Sequence, residues 1–176
     1  MIDIETERLI LRLVPLAGLA ATAAKDADAA RRIIGNVPDD WFADHWVAEM
    51  RLKQWKEDPR YAPWSIRAIA LRHTGQIVGY MNCHHQPMPF VHNGQTSLAV
   101  EMGYDIFAPF RRRGFAYEAV RGFGNWAATQ GVEHLVLSIA PGNEPSLALA
   151  RKLGAFQIGS QIDEIDGPED IYLARI

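Results

Sequence analysis

Cysteine is nearly absent: Cys83 is the only one in 176 residues. An internal disulfide is excluded, and so is a multi-cysteine metal site. No apolar stretch approaches the roughly 20 residues that cross a bilayer, so no membrane partner is expected. Positive charge is not in excess. Eighteen Lys and Arg stand against 21 Asp and Glu, for a net charge of −3 and a pI near 6.1. A general nucleic-acid binder would be basic overall. The start, Met1-Ile2-Asp3-Ile4-Glu5, lacks the basic segment and apolar run of a secretory leader. There is no internal repeat, low-complexity tract or linker, and no glycine-spaced Gly-Lys-Ser/Thr loop of a nucleoside-triphosphate enzyme. These absences lead to the expectation of a cytoplasmic protein whose residues 1–176 form one domain. The composition, 48% hydrophobic and 22% charged, is ordinary for a globular chain of this length.

What is present centres on Val100 to Ala116, VEMGYDIFAPFRRRGFA. Val100 to Phe107 reads as a strand, Ala108-Pro109-Phe110 as a short loop, and a helical pattern starts at Gly114. The first N–H groups of a helix have no partner inside it, and the macrodipole puts partial positive charge at that end. A strand–turn–helix of this kind is an anion site. Arg111, Arg112 and Arg113 add charge and forked donors. Gly114 and Ala116 would let a ligand approach the backbone. The alternative is a solvated basic turn.

Elsewhere, Leu9, Leu11 and Leu13 alternate with polar residues in a strand over 8–14. Ala17 to Ile34 reads as a helix stopped by Gly35-Asn36. Asp39 or Asp40 could cap a second, Trp41 to Lys56, with Phe42, Trp46 and Met50 on one apolar face. Trp64 to Leu71 and Ile77 to His84 read as a hairpin about His73-Thr74-Gly75-Gln76. Residues 85–95 read as a loop or wide hairpin connection. Helix Phe115 to Gln130 follows, with Gly131 as its stop, then a buried strand His134 to Ala140. After the break at Pro141 to Pro145 come helix Ser146 to Leu153 and strands Phe156 to Ile162 and Ile171 to Ile176, about the turn Asp166-Gly167-Pro168. The mixture points to an α+β sheet with helices packed on it.

Four stretches resemble the GCN5-related N-acetyltransferase (GNAT) family, in particular its branch acting on ribosomal-protein N-termini. They are Ile4 to Arg12 (IETERLILR), Glu101-Met102-Gly103-Tyr104, Arg111 to Ala116, and Asn143-Glu144-Pro145-Ser146 followed by Lys152-Leu153-Gly154. Arg111 to Ala116 fits the coenzyme A signature: Gln or Arg, two free positions, Gly, one free position, then Gly or Ala. The resemblance implies a mixed, mostly antiparallel sheet with a splayed V-shaped cleft, flanked by helices. It implies acetyl-CoA as cosubstrate and no metal. The pyrophosphate would lie on residues Arg111, Arg112, Arg113, Gly114, Phe115 and Ala116. The pantetheine arm would pair along Ile106 and Phe107 as an added strand, and Asn143 would hold it through its amide.

Acetyl transfer to an amine needs a base for the amine and a proton for the leaving thiolate. Glu101 lies where the resemblance places a carboxylate; its other reading is a strand charge paired with an arginine. The family's usual acid is a tyrosine four residues before the glycine that ends the last helix, here Ala150. Ser146, one turn earlier, stands in as donor to the sulfur, or else caps the helix. Trp41 and Trp64 are candidates for lining the acceptor pocket, while Trp46 and Cys83 read as core. His84 and His85, adjacent on a strand, would point to opposite faces and could not chelate one ion together. The expected activity is acetyl-CoA-dependent N-acetylation of a primary amine, a small molecule or a protein N-terminus. A non-catalytic acyl-CoA-binding sensor of the same fold is the alternative. A homodimer is left open.

Overall fold

The computed structural model describes residues 3–163 and 167–176. In chain order the elements are β1 (Ile4–Glu5), β2 (Leu9–Leu13), α1 (Leu16–Ala23), α2 (Ala27–Ile34), α3 (His45–Glu57), β3 (Arg67–Leu71), β4 (Ile77–Cys83), β5 (Met88–His92), β6 (Gln95–Ile106), α4 (Phe115–Thr129), β7 (His134–Ile139), α5 (Glu144–Lys152), β8 (Phe156–Asp163) and β9 (Gly167–Arg175). Short 3-10 turns occupy Asp39–Phe42, Pro59–Trp64 and Ala108–Phe110. The class is α+β, as expected: mostly antiparallel, open β-sheet flanked by helices. Two units divide the chain, each built from separate stretches. One takes residues up to Cys83 with Tyr104–Ala119; the other takes His84–Gly103 with Val120–Ile176.

In the first unit β1 to β4 pair antiparallel in sequence order. The alternation in β2 works as the sequence implies, with Leu9, Leu11 and Leu13 at 0%, 0% and 8% exposure. The end of β6 comes tightly against β4. The Phe107 N–H donates to the Val78 carbonyl at 2.9 Å, and a Cβ on Gly79 would collide with the Asp105 carbonyl oxygen. Backbone cannot swing away as a side-chain tip can. Gly79→Ala is therefore expected to lower stability by about 2 kcal/mol, an overpacking cost, read as a shift of the urea midpoint at unchanged slope.

The helices of this unit depart from the sequence expectation in two places. The stretch 17–34 forms two helices, because Lys25 takes a left-handed φ of 56° and the Asp26 carboxylate starts α2 afresh by accepting from the Ala29 N–H at 2.9 Å. The alanines favour helix on either side, which masks the break. The second helix begins at His45, since Asp39 and Asp40 open a 3-10 turn instead. Its buried residues are Val47, Ala48, Arg51 and Trp55. Trp46 and Met50 are exposed at 38% and 36%, so the face expected in the core is the outer one. Cys83 is core as expected, and its burial pushes the thiol well above its ordinary range.

In the second unit the stretch read as a loop holds β5. It pairs with β6 through a two-residue turn at Asn93-Gly94, whose φ values of 50° and 74° are both left-handed. That geometry suits a tight hairpin. Pro89 inside β5 is tolerated because the strand lies off the main path, with β6 as its partner. Consequently β6 begins at Gln95, five residues before the expected Val100. β6 and β7 run parallel, and their ladder is three pairs long: Ala99–His134, Val100–Leu135 and Glu101–Val136. β7 then pairs antiparallel with β9, and β9 with β8. Ala99, Val136 and Leu173 form a small core with Phe90, Ile158 and Ile171 packed on it. α5 starts at Glu144, two residues before the expected Ser146. Of the expected turn, Asp166 lies outside the described residues, while Gly167 and Pro168 already belong to β9.

Candidate active site

The basic turn belongs to the first unit, between the 3-10 turn Ala108–Phe110 and α4. Two residues are left-handed: Arg112 at φ 61° and Gly114 at φ 79°. The chain therefore enters α4 sharply. The Glu118 N–H bonds the Gly114 carbonyl at 3.1 Å. The N–H groups of Phe115 and Ala116 precede it, in the first turn, where a helix supplies no acceptor of its own. They belong to the stretch in which the sequence analysis expects an anion site. The arginines divide their work. Arg111 folds back, donating from Nε to the Ile106 carbonyl at 2.6 Å and from Nη2 to Asp105 at 3.1 Å. Arg113 donates to the Pro109 carbonyl at 3.1 Å and lies over the Phe110 ring. Arg112 is exposed. The side chains of Arg111 and Arg113 thus brace the loop.

A further brace was not foreseen. Glu118, in the first turn of α4, accepts from Thr6 Oγ1 at 2.6 Å, from the Arg8 N–H at 2.7 Å and from Arg8 Nε at 2.6 Å. Arg8 also donates to the Arg113 carbonyl at 3.0 Å and lies 4.8 Å from the Phe115 ring centre. Burial pushes the Glu118 carboxyl up, but these hydrogen bonds and the Arg8 charge outweigh it, and it sits below its ordinary range. The Thr6-Glu7-Arg8 stretch therefore anchors the turn.

Ile106 and Phe107 are buried. The Phe107 N–H is used by β4, and the Ile106 carbonyl by Arg111. Successive N–H groups of a strand point to opposite edges. That of Ile106 thus points away from β4, along the edge where an extended amide chain would pair.

Glu101 lies in the second unit, at the last pair of the β6–β7 ladder. Ser138, two residues past Val136, reaches back and donates to Glu101 Oε1 at 2.6 Å. His84 Nδ1 is 3.3 Å from the same oxygen. β4 ends at Cys83, so His84 and His85 follow the strand rather than continue it, and both act on Glu101. The expectation had placed them on the strand itself. Burial raises the Glu101 carboxyl, but the hydrogen bonds from His84 and Ser138 and the charges of both histidines bring it net below its ordinary value. Glu101 is thus held ionised at neutral pH. It borders a cavity of about 210 Å³, whose lining includes Phe90, Ala99, Val136, Ser138 and Ile171. Ala99 and Glu101 on β6, and Val136 and Ser138 on β7, share one sheet face by their spacing of two. Among the described residues no group of three or more His, Cys, Asp or Glu could hold a metal ion.

Asn143 and Ser146 are also in the second unit. Asn143 is the N-cap of α5: its Oδ1 accepts from the Ser146 N–H at 3.3 Å. Asn143 rather than Ser146 therefore caps the helix, through its Oδ1. Ala150 is fully buried, at 0% exposure, so its place leaves no room for a tyrosine ring. Trp41 and Trp64 are buried in the first unit, at 4% and 7% exposure. The Trp41 Nε1–H donates to Thr22 Oγ1 at 2.9 Å, and its ring meets that of Tyr80 edge-on.

A family model described as the acetyltransferase (GNAT) domain matches residues 8–155. No curated protein matches in sequence. Solved structures do match in fold. An acetyltransferase from Agrobacterium tumefaciens is 23% identical, covering 98% of this chain and 94% of its own, with a TM-score of 0.63. The ribosomal-protein-S5-alanine acetyltransferase from Vibrio fischeri is 18% identical, covering 100% and 96%, at 0.64. The ribosomal L7/L12 alpha-N-protein acetyltransferase RimL, solved with coenzyme A, is 14% identical, covering 99% and 98%, at 0.65. At these identities the likeness is one of fold.

Proposed function

Because the chain belongs to the GNAT acetyltransferase family, we propose that it moves an acetyl group from acetyl-CoA directly to a primary amine, with Glu101 as the base. The observation that carries this reading is the ionised Glu101 carboxylate, hydrogen-bonded by Ser138 and close to His84, bordering an apolar cavity. The residues present fit the cosubstrate. The left-handed Gly114 leads into the first turn of α4, whose Phe115 and Ala116 N–H groups suit a diphosphate. The outward Ile106 N–H suits an amide-bearing arm. Asn143 Nδ2 would donate to that arm.

Bound acetyl-CoA supplies the acetyl thioester. This chain's residues handle protons and orientation. Glu101 holds the incoming ammonium by charge and accepts the proton it sheds, directly or through one water. The amine nitrogen bonds to the acetyl carbon and the carbon–sulfur bond breaks. The second proton that the nitrogen sheds reaches the departing sulfur through the Ser146 hydroxyl, which gives up its own proton to the sulfur and takes that one in its place. A thiol of pKa near ~8.5 needs only a modest donor, so a hydroxyl can serve where Ala150 excludes a tyrosine. The setting in this proposal is reducing and cytoplasmic, a reading that the single buried thiol supports.

The test is free-thiol release from acetyl-CoA with and without a panel of amines. Amine-dependent release is expected. The buried Ala150 gives the sensor reading its one support. A rise in melting temperature with acetyl-CoA, with no amine-dependent thiol, would establish the sensor and overturn the transferase.

A further inference from the structure

The chemistry of the Glu101 cavity narrows the acceptor, an inference that rests on the transfer reaction proposed above. Among the described residues, ten border the cavity, and six of them are apolar: Met88, Pro89, Phe90, Ala99, Val136 and Ile171. The polar ones are His85, Glu101, Ser138 and Gln161. Glu101 is the one carboxylate among the ten, and none of them is Lys or Arg. The hydrogen bond from Ser138 and the contact from His84 both fall on Oε1. Oε2 is therefore the oxygen left to meet an amine. His85 Nδ1 lies 2.7 Å from the Gln86 carbonyl, which requires the proton there and leaves Nε2 an acceptor in the neutral ring.

We infer that the acceptor is a primary amine bearing one positive charge on an apolar body, its ammonium on Glu101 Oε2 and its body against Met88, Phe90, Val136 and Ile171. One carboxylate pairs with one ammonium. A polyamine or an aminoglycoside would bring further ammonium groups onto an apolar wall, where an unpaired charge is strongly disfavoured. Sugar hydroxyls would lose their hydrogen bonds to water on the same wall. The size agrees. About 210 Å³ is below the roughly 300–1,000 Å³ of drug-sized pockets, which suits an arylalkylamine or one N-terminal residue with an apolar side chain. Both sources present the same chemistry.

The experiment measures kcat/KM by acetyl-CoA-dependent thiol release with five acceptors: phenethylamine, a tetrapeptide beginning with Met, the same peptide beginning with Asp, spermidine and kanamycin. At least tenfold preference for phenethylamine or the Met-peptide over spermidine and kanamycin is expected. Which of the two is preferred identifies the source. The Met-peptide should also exceed the Asp-peptide, whose second carboxylate would face Glu101. Met88 is 48% exposed, so Met88→Glu can add a carboxylate to the rim without disturbing packing. It should raise the spermidine-to-phenethylamine ratio at least fivefold. Spermidine or kanamycin matching the apolar amines in the wild type, or a ratio unmoved in Met88→Glu, overturns the inference while leaving the transferase standing. Thiol release with none of the five overturns the transferase reading and this inference with it.

Discussion

Glu101→Gln is expected to lower kcat about a hundredfold or more while leaving the acetyl-CoA dissociation constant within twofold. The magnitude is that of a lost general base, about 10²–10⁴. Glutamine is close to isosteric, and its Oε1 can still accept from Ser138 and His84, so the β6–β7 face should remain folded. What it removes is the charge that meets the ammonium and the site that accepts its proton. Turnover by thiol release and cosubstrate affinity by calorimetry separate the two effects. The pH dependence gives a second check. The Glu101 carboxyl lies below its ordinary 4.5, so the wild-type rate between pH 5 and the amine's own pKa should rise with the deprotonation of the amine. That pKa is about 8 for a peptide N-terminus and about 10 for an alkylamine. A variant with wild-type kcat across that range would remove Glu101 from the chemistry.

The same ionisation acts on stability, with a definite sign. A carboxyl whose folded pKa is depressed contributes stability that is fully present above the unfolded value. It is lost as pH falls through the folded one. Glu101 and Glu118 are both depressed, and the ordinary value for each is 4.5. Acidification below that value therefore weakens the hold on the amine site and the anchoring of the basic turn together.

How much of this was legible in the sequence depended on the range of the interactions involved. The strand–turn–helix at 100–116 is local, and its parts could be read from apolar alternation, Pro109 and Gly114. Glu101 stood out because a carboxylate in an apolar strand asks for a partner. The partner itself, Ser138, was hidden: 37 residues separate the two, and only the register of the parallel ladder brings them together. Thr6 and Arg8 meet Glu118 across 112 and 110 residues, with no spacing rule to announce it. β5 was obscured by Pro89, although Asn93-Gly94 flanked by Phe90, His92 and Thr96 was a usable hairpin signal. Reading that turn would have fixed β6 from Gln95 and placed Phe90 on the Glu101 face. In α3 the apolar spacing of Phe42, Trp46 and Met50 was real, but propensity could not tell which face the neighbouring helix would cover. α3 packs on α1, and its buried residues are Val47, Ala48, Arg51 and Trp55, while Trp46 stays outside.

Gly114→Val is expected to weaken acetyl-CoA binding about a hundredfold, with calorimetry as the measurement. Gly114 sits at φ 79°, where a β-branched residue is a conformational outlier. Holding one there costs about 1–3 kcal/mol, and each 1.4 kcal/mol is tenfold in affinity. The chain can respond in two ways, and both harm binding. If the turn keeps its shape, the new side chain stands at the start of α4 and beside Arg8, whose Nη2 would lie 3.4 Å from the added Cβ. If the turn relaxes, the Phe115 and Ala116 N–H groups lose the arrangement proposed to hold the diphosphate. The loss should fall on the dissociation constant, with kcat at saturating acetyl-CoA reduced far less, which is the converse of Glu101→Gln. Arg112→Ala is the informative companion. Its side chain is exposed, and if the backbone rather than the arginine charge grips the diphosphate, affinity should fall by less than tenfold. An Arg112→Ala effect exceeding that of Gly114→Val would transfer the anion site from the main chain to the side chains.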